Sequence, residues 1–259
     1  MLERCLCTAL LTLLSAPLMA AEVKVAVASN FAAPMKTIVE HFQRETGHKA
    51  ILSYGSSGKF FAQIRQGAPF DVFLSADQTK PEALEKSNQV ISGSRFTYAL
   101  GTLVLWSADA TRIDGTASAL TSSKYNRLAI ANPRLAPYGQ AAMDVLRALG
   151  LQPEHIIQGE NIAQTFQFVS SGNADLGFIA LSQIQHGGQL ERGSAWLVPR
   201  ELYRPIRQDA VLLLRGRDNP AAAALLDFLK SDDAHEIIIR YGYLTTGGDI
   251  HESAREAQP

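Results

Sequence analysis

Short apolar segments alternate with helical segments along the first third of this 259-residue chain, and this alternation constrains the fold more than any other feature. Strands are predicted at 23–28, 50–52 and 70–75, which are mostly apolar. In 31–45 the apolar residues recur at the spacing of a helix with one buried face. A second helix is predicted over 59–66, between the second and third of these strands. Strands that alternate with helices build βαβ units, so we expect a parallel sheet covered by helices.

Two long extended segments, 96–106 and 203–214, predict that the chain passes twice between two lobes. It would leave the first lobe near residue 100, build a second lobe and return, which fits a length of two lobes of roughly 100–130 residues each. Beyond residue 106, further strands are predicted at 128–131, 155–158, 174–180, 195–199 and 210–214, and further helices at 140–149, 161–169, 221–229 and 235–241.

At four places small polar residues stand where a helix is predicted to begin: 28–31, 55–59, 137–141 and 159–162. A helix N-terminus offers unpaired backbone N–H donors and a partial positive charge. Such a terminus can bind an anion without lysine or arginine. For any one of these junctions, ordinary N-capping is the better explanation. Four of them favour a ligand site, because ligands of α/β lobes bind outside the carboxyl ends of the strands.

Patterns typical of common enzyme classes are missing from the sequence. The Ser56-Ser57 loop lacks the Gly-x-Ser-x-Gly spacing of a nucleophile elbow. It also lacks a phosphate-binding P-loop, since Ser53 stands where the first glycine belongs and Phe60 where the Ser/Thr belongs. The six histidines are scattered without metal-ligand spacing, and no carboxylate pair stands out. We therefore predict no enzyme, with an exported enzyme using the Ser56-Ser57 loop as the alternative.

Charge and cysteine content narrow the possible partners and the chemistry. The chain has 24 Lys and Arg against 25 Asp and Glu, a balance that argues against a nucleic-acid partner. A 46% hydrophobic content is ordinary for a globular protein and excludes disorder and a polytopic membrane protein. Because Cys5 and Cys7 are the only cysteines, the folded body is predicted to contain no disulfide, zinc–cysteine site or cysteine nucleophile.

Residues 1–20 are predicted to be an export signal that is cleaved near Ala20 or Ala21. The apolar run over 5–14 is shorter than the roughly 20 residues that span a bilayer. Small residues follow it, as a cleavage site requires. The alternative is a buried N-terminal helix, because Glu3 cancels the one early cation, Arg4.

Five stretches resemble the periplasmic molybdate-binding proteins of ABC importers. They are VAVASNF at 25–31, SYGSSG at 53–58, GAPFDVFLSAD at 67–77, the Asn132-Pro133 to Pro137-Tyr138-Gly139 segment, and GNADLGF at 172–178. The resemblance covers about residues 22–244. It implies an α/β, two-lobed periplasmic binding protein fold (type II), in which each lobe is a mixed, mostly parallel sheet flanked by helices. The ligand would lie in the interlobe cleft.

With this resemblance, the chain divides into a signal peptide and two lobes. Lobe I would be discontinuous, formed by 21–101 and 209–259, and lobe II would be formed by 102–208. The end of the chain, 245–259, is expected to be a frayed tail. The protein would be periplasmic and a monomer, and its partners would be the transmembrane permease of an ABC importer and the permease's ATPase.

The resemblance also implies the ligand and the residues that contact it. Molybdate or tungstate would be held only by neutral hydrogen-bond donors, without a cofactor and without any direct bond from the protein to the metal. Matching motif positions are Ser29, Asn30, Ser57, Tyr138 and Ile162. The two serines would contribute hydroxyls and N–H groups, Tyr138 and Ile162 chiefly backbone N–H groups, and Asn30 a neighbouring side-chain donor.

Ala180 is a departure from several relatives, which carry at this position a tyrosine that donates to the anion. The Asn30 side chain or the Tyr138 hydroxyl would have to replace that donor. A pocket of donors alone rejects hydrogen phosphate, whose own proton would lack an acceptor. Sulfate carries no such proton, so a binding protein for sulfate or another tetrahedral oxyanion is the alternative function, and only cavity size separates the two.

Overall fold

The computed structural model describes residues 20–122 and 125–245. Both cysteines, nearly all of the predicted signal peptide and all but the first residue of the predicted tail lie outside the described residues. The strands, in chain order, are β1 (Glu22–Ala28), β2 (Lys49–Gly55), β3 (Val72–Leu74), β4 (Phe96–Gly101), β5 (Leu103–Ser107), β6 (Leu128–Ala131), β7 (Ile156–Gly159), β8 (Leu176–Ala180), β9 (Gln185–His186), β10 (Gln189–Leu190), β11 (Ser194–Leu197) and β12 (Ile206–Leu212).

The helices pack on both faces of the sheets. They are α1 (Ala32–Thr46), α2 (Ser57–Arg65), α3 (Thr79–Lys86), α4 (Ser118–Thr121), α5 (Pro137–Ala148), α6 (Ile162–Ser170), α7 (Pro220–Phe228) and α8 (Asp232–Arg240). A single 3-10 turn, Ser29–Phe31, joins β1 to α1. Among the described residues, no helix combines the length and the apolar character needed to cross a membrane.

Two five-stranded sheets form the two lobes, in the orders β2-β1-β3-β12-β4 and β11-β5-β8-β6-β7. The predicted two-lobed α/β architecture is confirmed, and both sheets are mixed. In each sheet two strand pairs are parallel and two are antiparallel, so the sheets are not mostly parallel as expected. The antiparallel pairs involve β4, β12, β5 and β11, which lie beside the two crossings of the chain.

The crossings between the lobes fall where the two long extended segments predicted them. β4 ends at Gly101 in the first sheet and β5 begins at Leu103 in the second. On the return, β12 pairs with β4 from its first residue, with Ile206 opposite Gly101. The β12 strand therefore begins ahead of Asp209, the residue at which lobe I is expected to resume. A β-bulge follows between Gln208 and Asp209, and both side chains are buried.

A separate hydrophobic core supports each lobe. In lobe I the buried face of α1, with Met35, Ile38 and Phe42, packs with α7 and α8 against the sheet. In lobe II, Leu128 and Phe178 of the sheet pack against the buried face of α5. Each fully buried side chain of this size contributes about 1.5–3 kcal/mol, so each lobe has a core of its own that holds its strand ends in place.

Local signals predicted most helix ends well and some poorly. Gly47 closes α1 in the left-handed conformation, with φ +70°, as a helix C-cap glycine is expected to do. α5 begins at Pro137 rather than at 140, because the fixed φ of proline suits the first helical position. The N-cap residue of α3 is Gln78, and the carboxylate of the preceding Asp77 accepts from the Lys80 N–H. The one-turn helix α4 and the β9–β10 hairpin were not predicted from the sequence.

Candidate functional site

A small cavity lies between the lobes, where four helices begin. Its volume is about 10 Å³, close to the space that one water molecule occupies. The residues that line it are Ala28, Ser29, Asn30, Gly55, Ser56, Ser57, Ala76, Ala136, Pro137, Tyr138, Asn161 and Ile162. All five residues predicted to contact the ligand are among them, so the structure brings together segments far apart in sequence.

The start of α2 leaves one N–H group free beside the cavity. Ser56 is the N-cap residue, and its hydroxyl accepts from the Lys59 N–H at 3.4 Å. The Gly58 N–H donates across the cleft to the Leu135 carbonyl at 2.8 Å. Among the described residues, no group accepts from the Ser57 N–H, which is therefore available to a ligand.

The starts of α5 and α6, in lobe II, leave two more donors. At α6 the Asn161 side chain accepts from the N–H groups of Ala163 and Gln164, at 3.0 and 3.1 Å. The Ile162 N–H is left without an acceptor among the described residues. At α5 the first residue is Pro137, which has no N–H to donate. The Tyr138 N–H that follows has no acceptor within the described residues. Three helices thus each present one unpaired N–H group at the cavity.

Two buried serine hydroxyls add side-chain donors from lobe I. The Ser57 oxygen accepts from the Ala76 N–H at 2.9 Å, so the hydroxyl hydrogen is left to donate elsewhere. Ser29 is also buried, and its hydroxyl bonds to no other group in the part of the chain that the structure describes. Both hydroxyls are therefore free to donate to a bound anion.

Asn30 lines the cavity, but its side chain is engaged elsewhere. The amide nitrogen donates to the Gln208 side-chain oxygen at 2.8 Å and to the Tyr243 hydroxyl at 2.9 Å. An amide nitrogen carries only two hydrogens, so neither is left for an anion. In this geometry both amide hydrogens of Asn30 hold the loop that carries Ser29, and the expected donation to an anion would require one of these two bonds to open.

Position 180, where the resemblance leads us to expect a tyrosine donor, lies away from the cavity. Ala180 ends β8, is buried and does not line the cavity. The Gln183 side chain accepts from the Ala180 N–H at 3.0 Å and donates to the Ile162 carbonyl at 3.1 Å, so it supports the start of α6. The Tyr138 hydroxyl lies against Gln208, at 3.4 Å from the amide nitrogen.

The cavity is electrically neutral apart from its backbone. No charged side chain lines it within the described ranges. Each helix N-terminus carries a partial charge of about +0.5, so four of them together supply roughly two positive charges. At its rim Lys59 and Glu160 pair across the cleft at 3.4 Å, but both are more than half exposed, and such pairs contribute little. The arrangement suits an anion of charge −2 held by dipoles and hydrogen bonds.

Three buried tyrosines, one lining the cavity and two beneath it, make the fold sensitive to alkaline pH. Burial raises the pKa of Tyr98 and Tyr138 well above the usual value, and that of Tyr243 to about 12. Unfolded tyrosines ionise near pH 10, so above about pH 10 the folded state binds more protons and loses stability. We expect the free energy of unfolding, measured in urea, to be constant up to about pH 9.5 and to fall above it; a flat profile to pH 11 would contradict this.

A larger interlobe cavity of about 330 Å³ adjoins the small one and shares Ala76, Ala136 and Pro137 with it. Its acidic side chains pair with basic ones, Asp77 with Lys80 and Asp144 with Arg204, and it contains none of the free N–H donors. No cluster of three or more His, Cys, Asp or Glu that could hold a metal ion occurs among the described residues. The small cavity is therefore the candidate site.

Comparison with known proteins places the chain among transport proteins. Residues 23–244 match the family model of the bacterial extracellular solute-binding proteins. Over 234 residues, 89% of this chain and 93% of the relative, it is 54% identical to the molybdate-binding protein ModA of Azotobacter vinelandii. Identity to ModA of Rhodobacter capsulatus is 48%, over 90% of this chain and 92% of the relative. The solved periplasmic molybdate-binding protein of Azotobacter vinelandii superposes with a TM-score of 0.83 at 39% identity, covering 86% of this chain and 98% of that one.

Proposed function

Because the chain belongs to the family of bacterial extracellular solute-binding proteins, we propose that it binds molybdate, and tungstate, outside the cytoplasm for an ABC importer. Relatives at 54% and 48% identity carry the name molybdate-binding protein, which supports this ligand. The protein would deliver the anion to the permease, and the importer's ATPase would drive its uptake.

The observation that carries the proposal is the set of donors around the small cavity. Free N–H groups at Ser57, Tyr138 and Ile162 and free hydroxyls at Ser29 and Ser57 converge there, and no charged side chain accompanies them in the described structure. Such a set satisfies a fully deprotonated oxyanion. Hydrogen phosphate would leave its proton unpaired, at a cost of about 1–3 kcal/mol.

The same site supports binding and release rather than catalysis. It offers donors to an anion, and none of the described residues that line it is a His, Asp or Glu that could serve as a base. Molybdate is accordingly cargo and neither a cofactor nor a substrate. We further propose that the protein acts as a periplasmic monomer after cleavage near Ala20 or Ala21, with lobe I formed by 21–101 and the chain from Ile206 on. N-terminal sequencing of the exported protein tests the cleavage point.

Thermal unfolding with a panel of oxyanions tests the ligand. A ligand that binds only the folded state adds about 4 kcal/mol at a thousand times its Kd, which is roughly 10 °C in Tm for a chain of this size. We expect that increase with molybdate and tungstate, and none with hydrogen phosphate. Calorimetry with the same anions gives the affinities directly.

Sulfate is the decisive comparison in that panel. Sulfate carries no proton that would lack an acceptor in a pocket of donors, and it has the same charge as molybdate. Only the size of the closed cavity therefore separates the two anions. Tight binding of sulfate with none of molybdate would establish the alternative function, a binding protein for another tetrahedral oxyanion. Turnover of a phosphate ester that is lost in Ser57→Ala would instead support an enzyme.

A further inference from the structure

Six buried polar side chains form a cluster directly beneath the anion cavity, and we call it the hinge cluster. Its members are Asn30, Tyr98, Tyr138, Ser182, Gln208 and Tyr243, and each is no more than 5% exposed. Two of them, Asn30 and Tyr138, also line the cavity, whereas the other four do not. The cluster therefore connects the cavity, through Asn30 and Tyr138, with β4 and β12, which carry Tyr98 and Gln208.

Some hydrogen bonds of the hinge cluster join the two lobes. Ser182, in lobe II, donates to the Asn30 carbonyl of lobe I at 2.8 Å, and its hydroxyl lies 3.0 Å from that of Tyr243. The Gln208 amide of lobe I donates to the hydroxyl of Tyr138 in lobe II at 3.4 Å. These bonds depend on how closely the lobes approach each other.

Other hydrogen bonds of the cluster stay within lobe I. The Tyr98 hydroxyl lies 3.0 Å from the Gln208 side-chain oxygen and 3.1 Å from the Ser75 carbonyl. The Asn30 amide reaches Gln208 and Tyr243, which also belong to lobe I. Rotation of one lobe against the other would leave these bonds intact, so the two groups of bonds can be separated by experiment.

The crossing strand makes room for the contact between lobes. A side chain at Gly101 would place its Cβ 2.2 Å from the Tyr138 hydroxyl and 2.7 Å from the Gln208 amide nitrogen. Only glycine at this position lets the Tyr138 hydroxyl approach Gln208. Cluster and crossing strand are thus fitted to each other in the closed arrangement.

We propose that the hinge cluster is a latch, in which Ser182 and the Tyr138 hydroxyl stabilise the closed arrangement of the lobes and thereby raise the affinity for the anion. The proposal rests on the function proposed above. Apparent affinity falls in proportion to the fraction of molecules in the binding-competent state. A variant that loses a bond between lobes shifts molecules to the open form, because water satisfies the exposed groups there. Ser182 acts as a positioning residue, since it does not touch the cavity.

The test compares two variants that break bonds between lobes with one that breaks bonds within a lobe. Ser182→Ala and Tyr138→Phe remove bonds between the lobes, and Tyr138→Phe keeps the backbone N–H of residue 138 at the cavity. Tyr98→Phe, the matched control, removes bonds within lobe I. We expect the first two to weaken molybdate binding about tenfold and to speed its dissociation, with the control within about twofold of wild type. All three should lower the Tm of the anion-free protein.

Distances between spin labels read lobe closure without any anion. Cysteines replacing Ala62 on α2 and Ala148 on α5 lie at exposed positions on opposite lobes, and the chain has no cysteine beyond Cys7. We expect the anion-free wild type to populate a closed distance, and Ser182→Ala and Tyr138→Phe to lose it in favour of a longer one. Tyr98→Phe should keep the wild-type distribution.

Two outcomes overturn the latch. Either the dissociation rates and affinities of all three variants agree within twofold, or all label distributions match that of wild type. If the wild type binds no oxyanion, the proposed function fails, whereas the label distances still decide whether the cluster holds the lobes together. Failure of the latch and failure of the function are therefore distinguishable.

Discussion

Replacing Gly58 with alanine is expected to weaken anion binding at least about a hundredfold while leaving the anion-free fold intact. The Cβ of an alanine at 58 would lie 2.9 Å from both the Cα and the carbonyl oxygen of Leu135. Those atoms are backbone of the opposite lobe, so neither can swing aside. The lobes would have to stay apart, and a hundredfold loss corresponds to about 2.8 kcal/mol.

Without anion, the Gly58→Ala variant should be as stable as the wild type or slightly more stable. Gly58 is in the first turn of α2, and alanine in a helix is favoured over glycine by up to about 1 kcal/mol. In the open form nothing from lobe II opposes the added methyl group. Thermal unfolding without anion and calorimetry with molybdate therefore separate closure from folding.

Gly139→Ala is the contrasting control for this experiment. Its Cβ would lie 2.1 Å from the Ala131 carbonyl oxygen, which belongs to the same lobe. This variant should unfold at a lower temperature with or without anion. A Gly58→Ala protein that binds molybdate as tightly as wild type would show that the closed contact between Gly58 and Leu135 is not needed for binding.

Ser57→Ala is expected to weaken molybdate binding by about ten- to a hundredfold. A hydrogen bond to a charged group contributes about 1.5–3 kcal/mol, and the Ser57 hydroxyl is free to donate because its oxygen already accepts from Ala76. The backbone N–H of residue 57 survives the substitution, so binding should be weakened rather than abolished. Titration calorimetry measures the loss.

The control for Ser57→Ala must lose comparable stability without touching the site. Ser231→Ala meets this need, because the Ser231 hydroxyl caps α8 and accepts from the Ala234 N–H, a contact that contributes about 1 kcal/mol. We expect both variants to unfold earlier and only Ser57→Ala to bind less tightly. Equal affinities in the two variants would remove the Ser57 hydroxyl from the ligand set.

Periodicity along the chain predicted the strands and helices of both lobes because those signals are local. The β6 strand was predicted at its observed bounds, and the observed bounds of β1 and α6 differ from the prediction by one residue at one or both ends. Glycine at 47 and the polar residues before α2 and α6 marked helix ends through backbone chemistry that depends on neighbours alone. The two crossings were predicted for the same reason, from two long extended segments.

The pairing of strands within each sheet was harder to predict from the sequence. The division between lobes depends on which strand β12 pairs with, and that partner, β4, lies about a hundred residues away. Gln183 and Ser182, which support the starts of α6 and of the loop at Asn30, follow no motif. No local pattern could mark them, because their partners come from other elements.

The sequence by itself determined the elements, the four helix starts rich in small polar residues, and a net charge near zero, which suits an anion site made of neutral donors. Only the tertiary structure decided that these starts meet at one small cavity, that the Asn30 amide is committed to Gln208 and Tyr243, and that Gly58 faces the backbone of the other lobe. The physical reason is range. Helix and strand formation follow from neighbours in the chain, whereas hydrogen-bond partners and steric fit follow from residues that only folding brings within reach.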